Sequence, residues 1–183
     1  TPTALSVARY WLAAASVGNY ALFGGGYTGS ASSVVDAYNT SLTRSTPTAL
    51  STACYQLAAA SVGDYALFGG GYTGSTSDVV DAYNTSLTRS TPTALSTKTN
   101  LLAAASVGGY ALFVGGHTGT TFVSAVDAYN TSLTRSAATK LSTARDSLAA
   151  ASVGNYALFG GGYTDGASDV ADAYTEMTGT GAL

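Results

Sequence analysis

Four carboxylates recur at one place in this chain. Asp36, Asp81, Asp127 and Asp172 each open an Asp-Ala-Tyr triplet, and acids repeated around one surface could supply the oxygen ligands of a cation. A second chemistry competes for them, because Arg44, Arg89 and Arg135 follow the first three at a constant interval. If the intervening turn is centred on Thr40, Asp36 faces Arg44. Asp81 then faces Arg89 around Thr85, and Asp127 faces Arg135 around Thr131. We read these as structural ion pairs across a hairpin, contributing roughly 0–1 kcal/mol each if exposed, and expect no metal. Asp172 has Thr180 where the arginine would stand, so it is expected to be the unpaired member.

The remaining reactive side chains are few. His117 is the only histidine and Cys54 the only cysteine, so an intrachain disulfide, a four-cysteine zinc site and a paired Cys/His site are excluded. No partners stand ready to make His117 part of a triad or Cys54 a nucleophile. His117 reads as one member of a ring of side chains, and Cys54 as an inert small residue. The GGGYTG segments lack the Lys-Ser/Thr ending of a phosphate loop. Asn39-Thr40-Ser41, Asn84-Thr85-Ser86 and Asn130-Thr131-Ser132 fit the glycosylation pattern, but they are also ordinary turn residues. Amphipathic rings are a better lead: Tyr27, Tyr72, His117 and Tyr163 each follow a glycine stretch. Such rings could stack on a sugar or anchor a peptide, or serve only as packing between repeats. Arg9 and Arg145 are expected to approach the same face as further ligand-binding candidates.

All these residues belong to a repeated frame. The segment that begins at Leu5 restarts at Leu50, Leu95 and Leu141, a period of about 45 residues. The single domain 1–183 thus divides into repeats of about 5–49, 50–94, 95–140 and 141–183. Each holds four short runs; in the first they are Leu12–Val17, Tyr20–Phe23, Val34–Tyr38 and Leu42–Thr48, separated by Gly18-Asn19, Gly24-Gly25-Gly26 and Asn39-Thr40-Ser41. Alternation and tight turns dominate and no helical period is sustained, which predicts an all-β chain. Four strands in such a period is the size of one propeller blade, with the alanine-rich run innermost. A β-solenoid is the runner-up.

Composition narrows function further. Apolar residues make up 46% of the chain and charged residues 9%, against roughly 25% charged in an ordinary soluble domain. Net charge is −3, with no basic block, which argues against nucleic acid. No apolar run is long enough for a membrane helix. Thr1 opens inside the tail of a repeat, which reads as a processed or excised piece. In a closed ring, Thr1–Leu5 would complete the last blade. An unclosed row would instead leave two raw faces that favour pairing with another copy.

At the residue level each unit resembles a kelch repeat. Arg9 precedes the first run, Gly25-Gly26 end the second, and Tyr38 lies in the third. The later counterparts are Gly70-Gly71 with Tyr83, Gly115-Gly116 with Tyr129, and Arg145 with Gly161-Gly162 and Tyr174. The tryptophan usual after the tyrosine is replaced by Ser45, Ser90 and Ser136, and the arginine by Cys54 and Thr99 in the middle repeats. The resemblance implies a kelch-type β-propeller, four blades of four antiparallel strands per chain, and half of a larger ring. It also implies a non-enzymatic module that binds a protein or glycan through one face, without cofactor. Alternatives are a self-assembling homo-oligomer, two copies completing eight blades, and a sugar-processing enzyme of the same fold. The repeats differ most at Tyr10-Trp11, Cys54-Tyr55-Gln56, Lys98-Thr99-Asn100 and Arg145-Asp146-Ser147, where specificity is expected to reside.

Overall fold

A computed structural model describes residues 2–176. Among them are fifteen strands and no helix. The first repeat forms β1 (Ala13–Val17), β2 (Tyr20–Gly24), β3 (Val35–Asn39) and β4 (Arg44–Ser45). The second forms β5 (Ala58–Val62), β6 (Tyr65–Gly69), β7 (Val80–Asn84) and β8 (Arg89–Ser90). The third forms β9 (Ala103–Val107), β10 (Tyr110–Val114), β11 (Val126–Asn130) and β12 (Arg135–Ala137), and the fourth β13 (Ala149–Val153), β14 (Tyr156–Gly160) and β15 (Ala171–Thr175). Each repeat is one antiparallel sheet in chain order, three with four strands and the last with three.

The turns explain the strand ends. Val17 pairs with Tyr20 across Gly18-Asn19, and Gly18 has φ of 51°, the positive first position that a two-residue hairpin turn demands. The third turn is wider. The Asn39 carboxamide oxygen accepts the N–H groups of Ser41 at 3.0 Å and Thr43 at 2.9 Å, while Leu42 takes φ of 58°. The extra turn residue sets the register as Tyr38 opposite Arg44 and Ala37 opposite Ser45. The turn is therefore centred on Ser41, not Thr40, and Asp36 does not sit directly across from Arg44. The same Asn-built turn recurs at Asn84 and Asn130.

The sheets stack face to face in chain order. Val17, Leu22, Val35 and Ala37 of the first sheet pack on Ala66, Phe68 and Tyr83 of the second. Equivalent clusters join the second to the third and the third to the fourth. One face of each sheet is thus aliphatic and the other aromatic. The aromatic face is built by Phe-Tyr pairs in edge-to-face contact, with Phe68 and Tyr83 centroids 5.9 Å apart, a preferred geometry for such rings. These pairs fill the junctions that lack tryptophan. Gly24 lets the Phe68 ring come close, since a Cβ there would stand 2.9 Å from it. Along the first-strand edge Ser61 Oγ donates to Ser16 O and Ser106 Oγ to Ser61 O, both at 2.6 Å. The alanine-rich first strands of the four sheets together line an open groove of about 420 Å³.

Among the described residues the row of sheets does not close. On the aliphatic face of the last sheet Val153 is 62% and Leu158 38% exposed, whereas their counterparts Val62 and Leu67 are buried. The chain start does not complete that sheet. It lies on the first sheet instead, where Tyr38 OH donates to Thr3 O at 2.7 Å. Tyr83 and Tyr129 make the same bond to Thr48 and Thr93, so the opening residues occupy the ordinary linker position of a repeat.

Candidate functional site

Two sets of connections meet at one end of the stack. The segment before each first strand is tied to the loop after each second strand by a pair of backbone hydrogen bonds. Tyr10 N–H donates to Tyr27 O at 3.2 Å and Tyr27 N–H to Tyr10 O at 2.7 Å. Tyr55 with Tyr72, Asn100 with His117, and Asp146 with Tyr163 repeat the arrangement. Each member of the expected ring is thereby placed beside one of the positions at which the repeats differ.

The rings divide into two groups. Tyr27 and Tyr55 lie 5.0 Å apart, Tyr55 and Tyr72 5.5 Å, and Tyr10 and Tyr27 5.6 Å. Trp11 stacks on Tyr55 with centroids 5.6 Å apart and planes within 18°, and it remains 50% exposed. In the other group Phe122 bridges His117 at 5.2 Å and Tyr163 at 6.0 Å. Tyr10, Trp11 and Tyr55 were legible only as places where the repeats differ; their union with Tyr27 and Tyr72 depends on isolated bridges that leave no periodic mark. Loss of solvent, then the neighbouring phenols of Tyr72, Tyr27 and Tyr10, push the Tyr55 hydroxyl up, so it stays a neutral donor. His117 is held by its own loop, its Nδ1 accepting Gly119 N–H at 3.0 Å.

Beside the aromatic group opens a cavity of about 310 Å³ whose lining includes Trp11, Gln56, Leu101 and Ser147. These four occupy the same position in the four repeats, each with positive φ between 54° and 57°. The backbone requires that conformation, because Gln56 N–H donates to Trp11 O, Leu101 N–H to Gln56 O and Ser147 N–H to Leu101 O, at 2.9–3.0 Å. The frame is repeated while the side chains on it differ in kind. Asn100 Nδ2 holds Gln56 Oε1 at 2.8 Å, fixing one polar group at the cavity.

Arg9 and Arg145 do not face this site. Both side chains are fully buried. Arg9 donates to Gly25 O at 2.8 Å, Phe23 O at 3.0 Å and Asp36 Oδ2 at 2.8 Å. Arg145 donates to Gly161 O at 2.9 Å and to Thr143 O and Phe159 O at 3.0 Å. Both guanidinium groups are buried and bonded to their own sheets, so neither is presented to a ligand at this end. Asp172 also departs from expectation. It pairs with Arg145 at 2.8 Å, a contact set from before the first strand and therefore invisible to hairpin register; Thr180 lies outside the described residues. Asp81 and Asp127 meet Arg89 at 3.2 Å and Arg135 at 2.7 Å. Asp36 reaches Arg44 only at 3.7 Å. Each aspartate also accepts the backbone N–H of Ser6, Ser51, Ser96 or Ser142. The four carboxylates are thus separate anchors, one per sheet, and no group of three His, Cys, Asp or Glu gathers among the described residues.

Cys54 is buried, and burial, then the Asp81 charge, pushes its thiol up to about 12. A thiol so hindered and protonated is unreactive. Ellman's reagent should leave it untouched in the folded chain and titrate it fully in urea; rapid native reaction would show that the junction around Asp81 is open.

Compared with known proteins, the chain matches no protein-family model and no curated protein.

Proposed function

We propose that this chain is a non-enzymatic binding module of kelch-type β-propeller architecture, with four blades, that takes a neutral glycan or a protein segment at the aromatic end of the stack. The stacked, repeated sheets whose alanine-rich first strands line one groove support the propeller reading. The observation that carries the binding reading is Trp11, half exposed yet stacked on Tyr55. A flat, ordered aromatic surface edged by tyrosine hydroxyls suits the apolar face of a sugar ring or an extended peptide. The low charged fraction of 9% favours an uncharged partner. Unlike residues at Trp11, Gln56, Leu101 and Ser147 give an otherwise repetitive surface one distinct spot. The hydroxyl-rich groove on the axis supports the same reading less directly.

Trp11 is the only tryptophan, so its fluorescence reports the site alone. Titration of the best oligosaccharides from a glycan array should quench or shift that emission, and by calorimetry, which does not need the indole, Trp11→Phe should retain binding that Trp11→Ala weakens about tenfold or more. Silence of glycans together with quenching by peptides would assign a protein partner. Silence of both would remove the binding reading.

A further inference from the structure

We propose that the exposed aliphatic face of the fourth sheet docks the exposed aromatic face of the first sheet in a second copy of this chain. The proposal does not depend on the ligand reading above. Its ground is that the same junction is already made three times within one chain, and both of its halves are left over at the two ends. On the first sheet Ala21 is exposed and Phe23 half-buried, whereas Ala66, Ala111 and Ala157 at the equivalent position are fully buried. On the fourth sheet Leu158 and Val153 stand open where Leu22 and Val17 are covered.

The polar groups left over also match. Inside the chain, Gly26, Gly71 and Gly116 N–H donate to Cys54, Thr99 and Arg145 O of the following repeat at 2.8–2.9 Å. Gly162 N–H and Arg9 O are the corresponding donor and acceptor, and neither makes this bond among the described residues. Likewise, among the described residues, Trp11 N–H and Ser147 O are the unjoined ends of the backbone ladder at the cavity.

The space in front of the fourth sheet is open at the same point. A Cβ on Gly24 or Gly69 would stand 2.9 Å from the Phe68 or Phe113 ring of the next sheet. Gly160 holds the same position in the fourth sheet, with no atom of the described residues within 4 Å of the place its Cβ would take, and the third sheet has Val114 there, packed with Phe159. The occupant this space fits is a phenylalanine on the aromatic face of another sheet, and Phe23 is the one left uncovered. The contact is head-to-tail, so two copies can satisfy each other at both ends or continue as a row.

Sedimentation velocity over a wide concentration range tests this on the whole chain. The wild-type chain should sediment as an assembly of at least two copies. Val153→Glu blocks the fourth-sheet face and Ala21→Glu the first-sheet face, both at exposed positions. Each variant alone should run as a single chain with native circular dichroism. Mixed in equal amounts they should form a dimer, because one variant keeps a sound first sheet and the other a sound fourth. A wild-type chain that stays single at all concentrations would overturn the proposal. So would variants that still assemble alone, or a mixture that stays monomeric.

Discussion

Arg145→Met is expected to remove about 3–5 kcal/mol of folding stability, seen as a urea midpoint shift and a fall in Tm on the order of 10 °C. Arg145 is completely buried, and its guanidinium is divided among three carbonyl oxygens and the Asp172 carboxylate. Methionine replaces the stem but none of the donors, so three carbonyls lose a donor and the Asp172 carboxylate loses its cation at once, keeping only Ser142 as a donor among the described residues. Arg9→Met should cost less, although Arg9 occupies the equivalent place. Asp36 retains Arg44 nearby, at 3.7 Å, as a second cation, while Arg145 is the only arginine in contact with Asp172 among the described residues. Equal losses from the two substitutions would show that the carbonyl bonds, not the ion pairs, dominate.

The same contacts set the acid limit of the fold. Burial alone would raise Asp36, but hydrogen bonds from Ser6 and Arg9 outweigh it and hold the carboxyl below its ordinary value of 3.8. For Asp172 burial is likewise overcome by Arg145 and Ser142. A folded carboxyl that titrates below its unfolded value contributes stability that is complete above pH 3.8 and disappears as pH falls through the lower folded value. In Arg145→Met the Asp172 part of that dependence should vanish, which flattens the stability profile below about pH 4.

Local chemistry made much of this architecture legible in the sequence. The Gly18-Asn19 turn and the alternating runs beside it predict β1 and β2 to within a residue, because a two-residue hairpin leaves little freedom. The third turn was harder: Asn39 uses its side chain as an extra acceptor and Leu42 adopts an unusual conformation, so the centre moves one residue and the facing pairs move with it. The aspartate-arginine pairing survives because a long arginine reaches a diagonal neighbour. Arg9 and Arg145 were misplaced for a different reason. Nothing in a local pattern says whether a cation before a strand points out to solvent or back under its own sheet, and 27 residues separate Arg9 from the carboxylate that decides it. Trp11 illustrates the same limit, since it touches Tyr55 of the next repeat only once the sheets have stacked.

Stacking itself can be put to the test through two equivalent phenylalanines. Phe68→Ala is expected to cost about 3–5 kcal/mol, since Phe68 is nearly inaccessible between the first and second sheets and its ring lies over Gly24. The cavity would be lined by Leu22, Val35 and Tyr83, which strand geometry prevents from collapsing inward. Phe23→Ala makes the same chemical change on a sheet whose aromatic face has no neighbour. In dilute solution it should cost clearly less, because the ring there is only half-buried beside Tyr38, at 5.8 Å, and loses less burial. In stacked repeats stability is approximately a sum over neighbouring interfaces, so the difference between the two losses measures one junction. Equal losses at low concentration would mean that the sheets are held by their own strands, and that the face-to-face clusters contribute little.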